Sequence, residues 1–474
     1  MQSNALKAER LPIAANSTVS QRIAEPDLAH ARTLVARGDD MAASQAYLAL
    51  LARDPTHFQC LTELAGLAFA GGYRSAARTA YEQAVSLHPR EAIGHVNLAN
   101  VLLAEREIKA AREHFELALQ CDPDFYPAHQ GLAGILADAG DPRADEHRDR
   151  GFQGRAVVRK PFRGVGKAKK VLLLVSARGG NIPTEQWLND RHYDVTAIYA
   201  EYHETSAILP AHDLIFNAIG DADLCADALK QAAAICARSR RPVVNRPEQV
   251  MGTGRAGTSE RLAGIAGLRV PRVETLSIAA IRRRQEIAFP VLIRRPGYHT
   301  GQYFYRVETR SDLEMTLDQF DALGADDLLL INYMDARGSD GLSRKFRMMF
   351  IGGRPYPLHL AISRDWKVHY FTAAMAEDAS FREEEQRFLD DPAGVIGKAG
   401  MTALRQVASK LGLDYAGIDF GLSNDGRILL FEANATMVLI PPSPDPIWNY
   451  RRPAITAAFE AVRTMLRQRL GQSS

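Results

Sequence analysis

Two acids and an amide in the last sixty residues of the sequence have the types and the spacing of a cation site. Asp419 and Glu432 are thirteen residues apart, and Asn434 follows two positions later. Apolar runs flank Asp425-Gly426, a pair that favours a two-residue type I′ turn. That turn places Asp419 opposite Glu432, with Asn434 on the same face because side chains alternate along strands. A three-residue loop would shift the pairing by one residue and turn one acid away.

The predicted pairing brings two like charges close together. Directly opposed residues have Cβ atoms about 5 Å apart, and carboxylates at that separation repel. Two carboxylates and an amide oxygen are hard donors that suit Mg²⁺, which also keeps waters and substrate phosphates. The sequence therefore predicts a magnesium site at Asp419, Glu432 and Asn434. An edge hairpin with two solvated acids would explain the same pattern, and this alternative stays open.

Composition limits the classes of protein to consider. A chain of 474 residues is too long for one ordinary core and predicts two or three domains. Its 58 basic and 56 acidic residues nearly cancel, which favours neither a nucleic-acid nor a membrane partner. The polar N-terminus, residues 1–23, is expected to be flexible, and the lack of a signal peptide or long apolar segment predicts a cytoplasmic protein. The cysteines lack metal-ligand spacing and are predicted to be buried thiols: Cys60, Cys121, Cys225 and Cys236.

The first third of the sequence repeats with a period of 34 residues. Four columns are in register, formed by an Asp-Pro or His-Pro pair, a small residue, an aromatic residue and an apolar residue. Their members are Asp54-Pro55, His88-Pro89 and Asp122-Pro123; Ala43, Ala77 and Ala111; Tyr47, Tyr81 and Phe115; Leu50, Ala84 and Ala118. These columns resemble the tetratricopeptide (TPR) family, whose unit is two antiparallel helices. We assign residues 24–150 to this array, with a helix at about 126–139 as its cap.

A TPR stack normally offers a concave surface to a peptide or protein. The resemblance therefore implies a peptide or protein substrate held by the repeats. A structural module, or one that forms a homodimer, is the alternative. Arg106 departs from the pattern, since it stands where Gly38 and Gly72 mark the turn between helices.

A basic stretch separates the repeats from an alternating strand and helix pattern. Residues 155–170 contain seven basic residues and no acid, and we interpret 151–170 as an exposed linker rather than a grip on RNA or an acidic peptide. Apolar strands at 171–175, 193–199, 213–216 and 242–245, with a helix at 225–238, predict a doubly wound α/β domain with a parallel sheet. Its first loop, 176–180, is a weak candidate ligand loop.

The segment after residue 288 reads as a strand, a loop between two glycines and a second strand. The loop Gly297–Gly301 could present backbone N–H groups to phosphates, and Arg294, Arg295 or His299 would add positive charge. Further strands are expected at 327–334 and 345–354, the second with Lys345 and Arg347 on one face.

This order of elements, over about residues 170–470, resembles the ATP-grasp superfamily, in the branch of ribosomal-protein-S6 glutamate ligase, glutathione synthetase and D-alanine–D-alanine ligase. The resemblance implies ATP and Mg²⁺ as cofactors, with the metal on Asp419, Glu432 and Asn434. It implies a phosphate loop that includes Gly297, His299 and Gly301. It also implies an adenine site on the hinge residues Ile331, Asn332, Tyr333 and Met334.

Basic residues complete the nucleotide site that the resemblance implies. Arg347 is similar to the family's phosphate-facing strand arginine, and we group Lys345 and Arg295 with it as catalytic residues. Arg295 stands where the family usually has lysine. A second usual lysine is missing near the helix of Arg255 and Arg261. Arginine keeps the charge and forks onto phosphate, but its geometry differs from that of lysine.

Two further polar segments are candidates for a functional role. The first, 359–372, could line the site of the acceptor substrate through His359, Ser363, Lys367 and His369, with Arg364 beside them, or be a long hairpin with a polar outer face. The second, Glu383-Glu384-Glu385, is interpreted as a solvated helix face.

The predicted fold is a multidomain chain: an all-α TPR array, an α/β pre-ATP-grasp domain at 171–275 and an α+β ATP-grasp domain at 276–474. The resemblance implies an ATP-dependent carboxylate–amine ligase acting through an acyl-phosphate. A nucleotide-binding but inactive scaffold that binds partners through its repeats is the second hypothesis. An RNA-binding adaptor has little support, because the basic linker lacks stacking aromatic residues.

Overall fold

The computed structural model describes residues 25–296, 301, 303–325, 327–368 and 373–471. The chain divides into two compact units, Met1–Gly151 and Phe152–Ser474. Within the described ranges, no helix combines the length and the apolar character needed to cross a membrane.

The first unit is an array of helices in which each helix packs on the next. The α1–α2, α3–α4 and α5–α6 pairs are the predicted repeats, and α7 and α8 add a fourth pair. The helices are α1 Glu25–Arg37, α2 Asp40–Arg53, α3 Phe58–Ala70, α4 Arg74–Leu87, α5 Ala92–Ala104, α6 Ile108–Cys121, α7 Tyr126–Asp138 and α8 Arg143–Phe152. The sequence indicated α7 but missed α8, whose charged composition shows no apolar stripe.

Three of the four repeat columns lie in the core of this array, whereas the Asp-Pro and His-Pro pairs do not. Ala43, Ala77 and Ala111 are fully buried, and the aromatic column lies inside with them. Phe115 packs so closely on Gly131 that a Cβ there would lie 2.2 Å from its ring. Arg106 keeps the turn of its glycine counterparts, with a φ of +65°. Cys121 is exposed, so the prediction of a buried thiol is wrong at that position.

Two histidine pairs recur at equivalent places in this array. The Nδ1 atoms of His95 and His114 lie 3.1 Å apart, and those of His129 and His147 lie 2.8 Å apart. The inner ring of each pair also contacts a proline carbonyl through Nε2, at 3.0 Å in both cases. A carbonyl only accepts, so Nε2 of the inner ring donates to it, and Nδ1 of that ring can then accept from the outer histidine.

Acid is expected to destabilise the helical array through these pairs. Burial and His95 lower the pKa of His114 against the opposing charges of Glu113 and Glu82. Burial and His129, with Arg150 and Arg143, likewise lower the pKa of His147 against Glu146. Since the folded pKa lies below the unfolded value, the stabilisation is complete above about pH 6.5 and is lost as the pH falls below it.

Urea unfolding of a fragment covering residues 25–152 at about pH 7.5 and about pH 5.5 measures this loss. His114→Gln with His147→Gln should flatten the pH dependence, whereas replacing His30, on the exposed side of α1, should not. Equal slopes in all variants would contradict the assignment.

The described residues of the second unit form three sheets. Its strands are β1 Val157–Arg159, β2 Lys169–Val175, β3 Tyr193–Tyr199, β4 Leu214–Asn217, β5 Val243–Val244, β6 Leu268–Arg269, β7 Val273–Ser277, β8 Val291–Arg294, β9 Phe304–Val307, β10 Asp327–Asn332, β11 Ser343–Ile351, β12 Arg354–Ser363, β13 Tyr415–Leu422 and β14 Ile428–Asn434. Its helices are α9 Ala226–Ala237, α10 Pro247–Met251, α11 Arg255–Leu262, α12 Ile278–Arg283, α13 Arg310–Ala322, α14 Ala379–Asp390, α15 Pro392–Leu411 and α16 Arg452–Gly471.

The first sheet has the order β1-β3-β2-β4-β5, with β2 to β5 parallel as predicted. Its central strand is buried over Val171–Leu174, which explains the continuous apolar run. The basic stretch is not simply an exposed linker, because β1 pairs antiparallel with β3 and β2 begins at Lys169.

The other two sheets are antiparallel apart from one edge. One has the order β7-β10-β8-β9 and packs on α13; the other has the order β12-β11-β13-β14-β6, and β6 pairs parallel with β14. The final helix buries Ile455, Phe459, Val462 and Leu466, as its spacing predicts.

The β13–β14 hairpin reaches the predicted pairing by a different route. Ser423 and Arg427 close a loop of three residues, in which Gly426 has a φ of +76°. The two-residue turn is therefore wrong, and this loop alone would shift the register by one. The register shifts back between Asp419 and Phe420, where Phe431 is the extra residue of a bulge, and Asp419 pairs with Glu432.

The interpretation of Glu385 as part of a solvated helix face is wrong. Its side chain is fully buried, and the buried Arg451 donates to its carboxylate from Nε at 3.0 Å. The backbone N–H of Leu360 and the hydroxyl of Tyr450 also donate to it. Glu384 pairs with Arg344 at the surface. The Glu383–Glu385 segment is thus a solvated face only in part, and Glu385 joins α14 to β12.

Candidate functional site

A cavity of about 580 Å³ lies in the second unit, lined by both antiparallel sheets. Strands β8 and β10 contribute one wall, and β11 to β14 contribute the other. Its volume falls in the usual range for small-molecule sites, about 300–1,000 Å³. The predicted metal ligands Asp419, Glu432 and Asn434 all line it, so the hairpin register brings the three together.

Asp419 is held by two cations from β11. Arg347 donates two hydrogen bonds to its carboxylate, at 2.6 and 2.8 Å, and Lys345 Nζ lies 3.4 Å away. These contacts arise because Arg347 is directly opposite Asp419 in the β11–β13 register. Burial by itself raises the pKa of Asp419, but Arg347 and Lys345 outweigh it and hold that pKa well below its usual range. Asp419 is therefore a carboxylate at any physiological pH.

Glu432 has a separate set of partners. Arg255, at the start of α11, donates to it at 2.8 Å, and the Asn434 amide nitrogen donates to the same oxygen at 2.8 Å. The Asn434 amide oxygen accepts from the backbone and hydroxyl of Thr436. The two acids are thus neutralised by neighbouring cations, and their repulsion alone does not require a metal.

The three side chains nevertheless fit a hard divalent cation. They offer carboxylate and amide oxygens to one cavity, and the Glu432 side chain keeps a quarter of its surface exposed there. Among the described residues no group of three or more His, Cys, Asp and Glu side chains could hold a metal ion. The metal assignment remains a prediction.

Of the two arginines at the end of β8, Arg294 lines the cavity and Arg295 does not. Side chains alternate along β8, and Leu292 and Arg294 line the cavity while Ile293 belongs to the core of this sheet. Arg294 is 7 % exposed and lies over the Phe304 ring at 5.3 Å. Burial, with Arg255 next, lowers its pKa to about 10. Arg295 follows with the parity of Ile293 and does not line the cavity.

The predicted phosphate loop is described only at Gly301, which lines the cavity; Gly297 and His299 lie outside the described residues. Lys367 donates to the carbonyls of Gly301 and Phe304. Its ammonium thus supports the backbone at the end of the loop. Lys367 and the buried His359 line the cavity, but Ser363 does not, and His369 lies outside the described residues.

The predicted hinge lines the cavity over its full length, from Ile331 to Met334. Arg306 lies over the Tyr333 ring, with its guanidinium carbon 4.3 Å from the centroid. His359 is neutral near pH 7, because burial and the charge of Arg347 lower its pKa well below its usual value.

Sequence reasoning left out part of this wall. Asn181, which follows β2, and Met437, Val438 and Ile440, which follow β14, also line the cavity. The apolar run directly after Asn434 was the available signal for the second group. Arg255 was noted only as a substitute for a missing lysine, and its distance in sequence hid its contact with Glu432.

Comparisons with known proteins found one family model and several solved structures that are similar to parts of the chain. Residues 68–124 match the family model described as tetratricopeptide repeat. MamA from Desulfovibrio magneticus is 22 % identical, with 26 % of this chain and 70 % of that chain covered and a TM-score of 0.24. An ATP-grasp RimK domain protein from Sphaerobacter thermophilus is 15 % identical, with 62 % of this chain and 98 % of that chain covered and a TM-score of 0.39. No curated protein matches. At these scores the two structures carry no functional conclusion. The chain is an array of helices, matched by the tetratricopeptide-repeat model over residues 68–124, followed by a mixed α/β region.

Proposed function

We propose that the second unit is an ATP-dependent carboxylate–amine ligase and that the helical array recruits its peptide or protein substrate. The observation that carries this proposal is the arrangement of Asp419, Glu432 and Asn434 in one cavity with Arg347 and Lys345. Phosphoryl transfer requires acidic side chains that bind a divalent cation and positively charged side chains that bind phosphate. It depends on positioning and charge more than on a covalent nucleophile.

The proposed reaction has two steps. A substrate carboxylate oxygen attacks the γ-phosphorus of ATP, and ADP leaves. An amine then attacks the acyl carbon, phosphate leaves with the C–O electron pair, and the amine loses a proton. Magnesium bound by Asp419, Glu432 and Asn434 would neutralise phosphate charge.

The chain's own cations supply the remaining charge. Arg294, Arg347 and Lys345 line the cavity and would donate charge-assisted hydrogen bonds to phosphate oxygens, which are about twice as strong as neutral ones. Tyr333 and Met334 of the hinge would present backbone groups to the adenine edge, since the Asn332 N–H already donates to the Arg272 carbonyl. Trp366 and Phe304 also line the cavity and pack edge to face, with ring centroids 5.5 Å apart.

Measuring ADP release with pools of amino acids and peptides tests this proposal. Release that depends on Mg²⁺ and on an added substrate pool is expected. Tight binding of ATP without any release would favour the alternative, an inactive scaffold whose repeats bind partners.

Arg294→Ala is expected to weaken binding of a non-hydrolysable ATP analogue. Loss of a hydrogen bond to a charged group costs about 1.5–3 kcal/mol, or roughly 10- to 100-fold in Kd. Arg295→Ala, the adjacent control, should leave Kd within about twofold, because its side chain lies outside the cavity. Isothermal titration at constant Mg²⁺ compares them. Equal losses in both variants would contradict the placement of Arg294.

Removing residues 1–150 is expected to preserve nucleotide binding and to raise KM for the recruited substrate far more than it lowers kcat. Docking on a remote module adds binding that is uniform along the reaction, so it appears in KM. The chain divides into its two compact units at Gly151, which supports independent folding of the part that remains after the deletion. An unchanged KM would favour a structural or dimerising array, and a soluble truncation that cannot bind nucleotide would refute the boundary.

A further inference from the structure

The segment after β14 brings aliphatic side chains into the cavity that holds the acids. Met437, Val438 and Ile440 line it, together with Ile455 of α16. Leu439 is fully buried, whereas Val438 is 38 % and Ile440 is 47 % exposed. Two half-exposed aliphatic side chains in a concave wall gain stability when a ligand covers them, because apolar surface leaves water.

The backbone that presents these side chains is fixed at several points. The hydroxyl of Tyr415 donates to the Met437 carbonyl at 2.7 Å, and Thr436 donates twice to Asn434. A Cβ added to Gly417 would lie 2.5 Å from Cγ of Met437, so this residue packs directly on β13. Val438 and Ile440 are therefore held in place a few residues from the predicted metal ligands.

The same cavity carries an excess of positive charge. The cavity is lined by six basic residues, Arg255, Arg294, Arg344, Lys345, Arg347 and Lys367, against the two acids Asp419 and Glu432. A ligand that covers the aliphatic pair thus has cations within the same enclosure. A molecule with both a carboxylate and an apolar side chain complements the two features together.

We propose that Val438 and Ile440, which we call the aliphatic shelf, select a substrate that joins a carboxylate to an aliphatic side chain, as at the C-terminus of an apolar peptide. The proposal rests on the ligase function and names the substrate class of that site. It predicts discrimination by the side chain next to the carboxylate, not by overall charge.

Two dipeptides of equal charge test the shelf: Ala–Leu and Ala–Ser, titrated into the full chain saturated with Mg²⁺ and a non-hydrolysable ATP analogue. Burial of one leucine side chain predicts Ala–Leu binding about tenfold tighter. The double variant Val438→Ser, Ile440→Ser should lose that preference and leave the affinity for Ala–Ser unchanged. Val395→Ser and Ile447→Ser, at similarly exposed aliphatic residues that do not line the cavity, should retain it.

Each outcome decides one question. Equal affinities in the parent chain, or failure of both dipeptides to bind while the nucleotide analogue binds, would overturn the shelf and leave the ligase proposal standing. Failure of the analogue to bind would overturn the ligase proposal and the shelf with it. If the double variant keeps the preference for Ala–Leu, residues other than Val438 and Ile440 select the substrate, and the shelf proposal is wrong.

Discussion

Glu432→Gln is expected to reduce ADP release by roughly 100-fold or more and to leave the fold intact. The change removes one negative donor of the proposed magnesium site and keeps the size of the side chain. Gln retains an amide oxygen that accepts from Arg255, whose side chain is 17 % exposed. The loss of stability should therefore stay under about 1 kcal/mol, as for other partly exposed ion pairs.

The measurement compares ADP release and the thermal midpoint without nucleotide in the variant and the parent chain. Asp425→Asn is a matched control, since it removes an exposed carboxylate from the tip of the same hairpin. It should preserve release. Normal release by Glu432→Gln would end the metal assignment, whereas a large drop in thermal midpoint would show that Glu432 acts mainly through its pairing with Arg255.

Glu385→Gln is expected to destabilise the second unit by about 3–5 kcal/mol, the usual cost of removing one partner of a buried ion pair. Arg451 would keep its charge with its side chain only 4 % exposed, and the neutral amide cannot compensate for it. The thermal midpoint of the second unit should fall by several degrees or more.

Glu384→Gln provides the comparison. Its partner Arg344 is 21 % exposed and also contacts Asp340, so the change should cost less than about 1 kcal/mol. Denaturant unfolding of both variants measures the two losses of stability. Similar losses at the two adjacent positions would show that burial of the Glu385 pair adds nothing.

The sequence predicted best what depends on periodicity. The small, aromatic and apolar columns of the 34-residue repeat lie among the buried residues of the helical array, and the apolar runs of β2 to β4 predicted the parallel sheet. Both patterns arise because buried positions recur at a regular spacing along the chain. They are therefore visible in the sequence without knowing which residues pack against them. The α8 helix was missed because its sequence is almost entirely charged and carries no such pattern.

The sequence predicted the types of residue in the site better than it predicted which individual residues face the cavity and which pair with each other. The alternation that separates Arg294 from Arg295 depends on where β8 ends, and strand boundaries are the least certain part of any sequence prediction. Glu385 was interpreted as solvated because its partner Arg451 is distant in sequence. The pairing of Arg255 with Glu432 was hidden in the same way, and it explains how two acids can face each other without a metal.

The bulge at Phe431 also determines how the hairpin would respond to changes of length. It lies between the tip, residues 423–427, and the Asp419–Glu432 pair, and β6 supports the tip side of β14. A residue gained or lost at Asn424 would change the loop and leave the pairing beyond it unaltered. The tip is therefore a suitable insertion point for a short epitope or a fluorescent reporter, at a place that moves with the site but does not set its geometry.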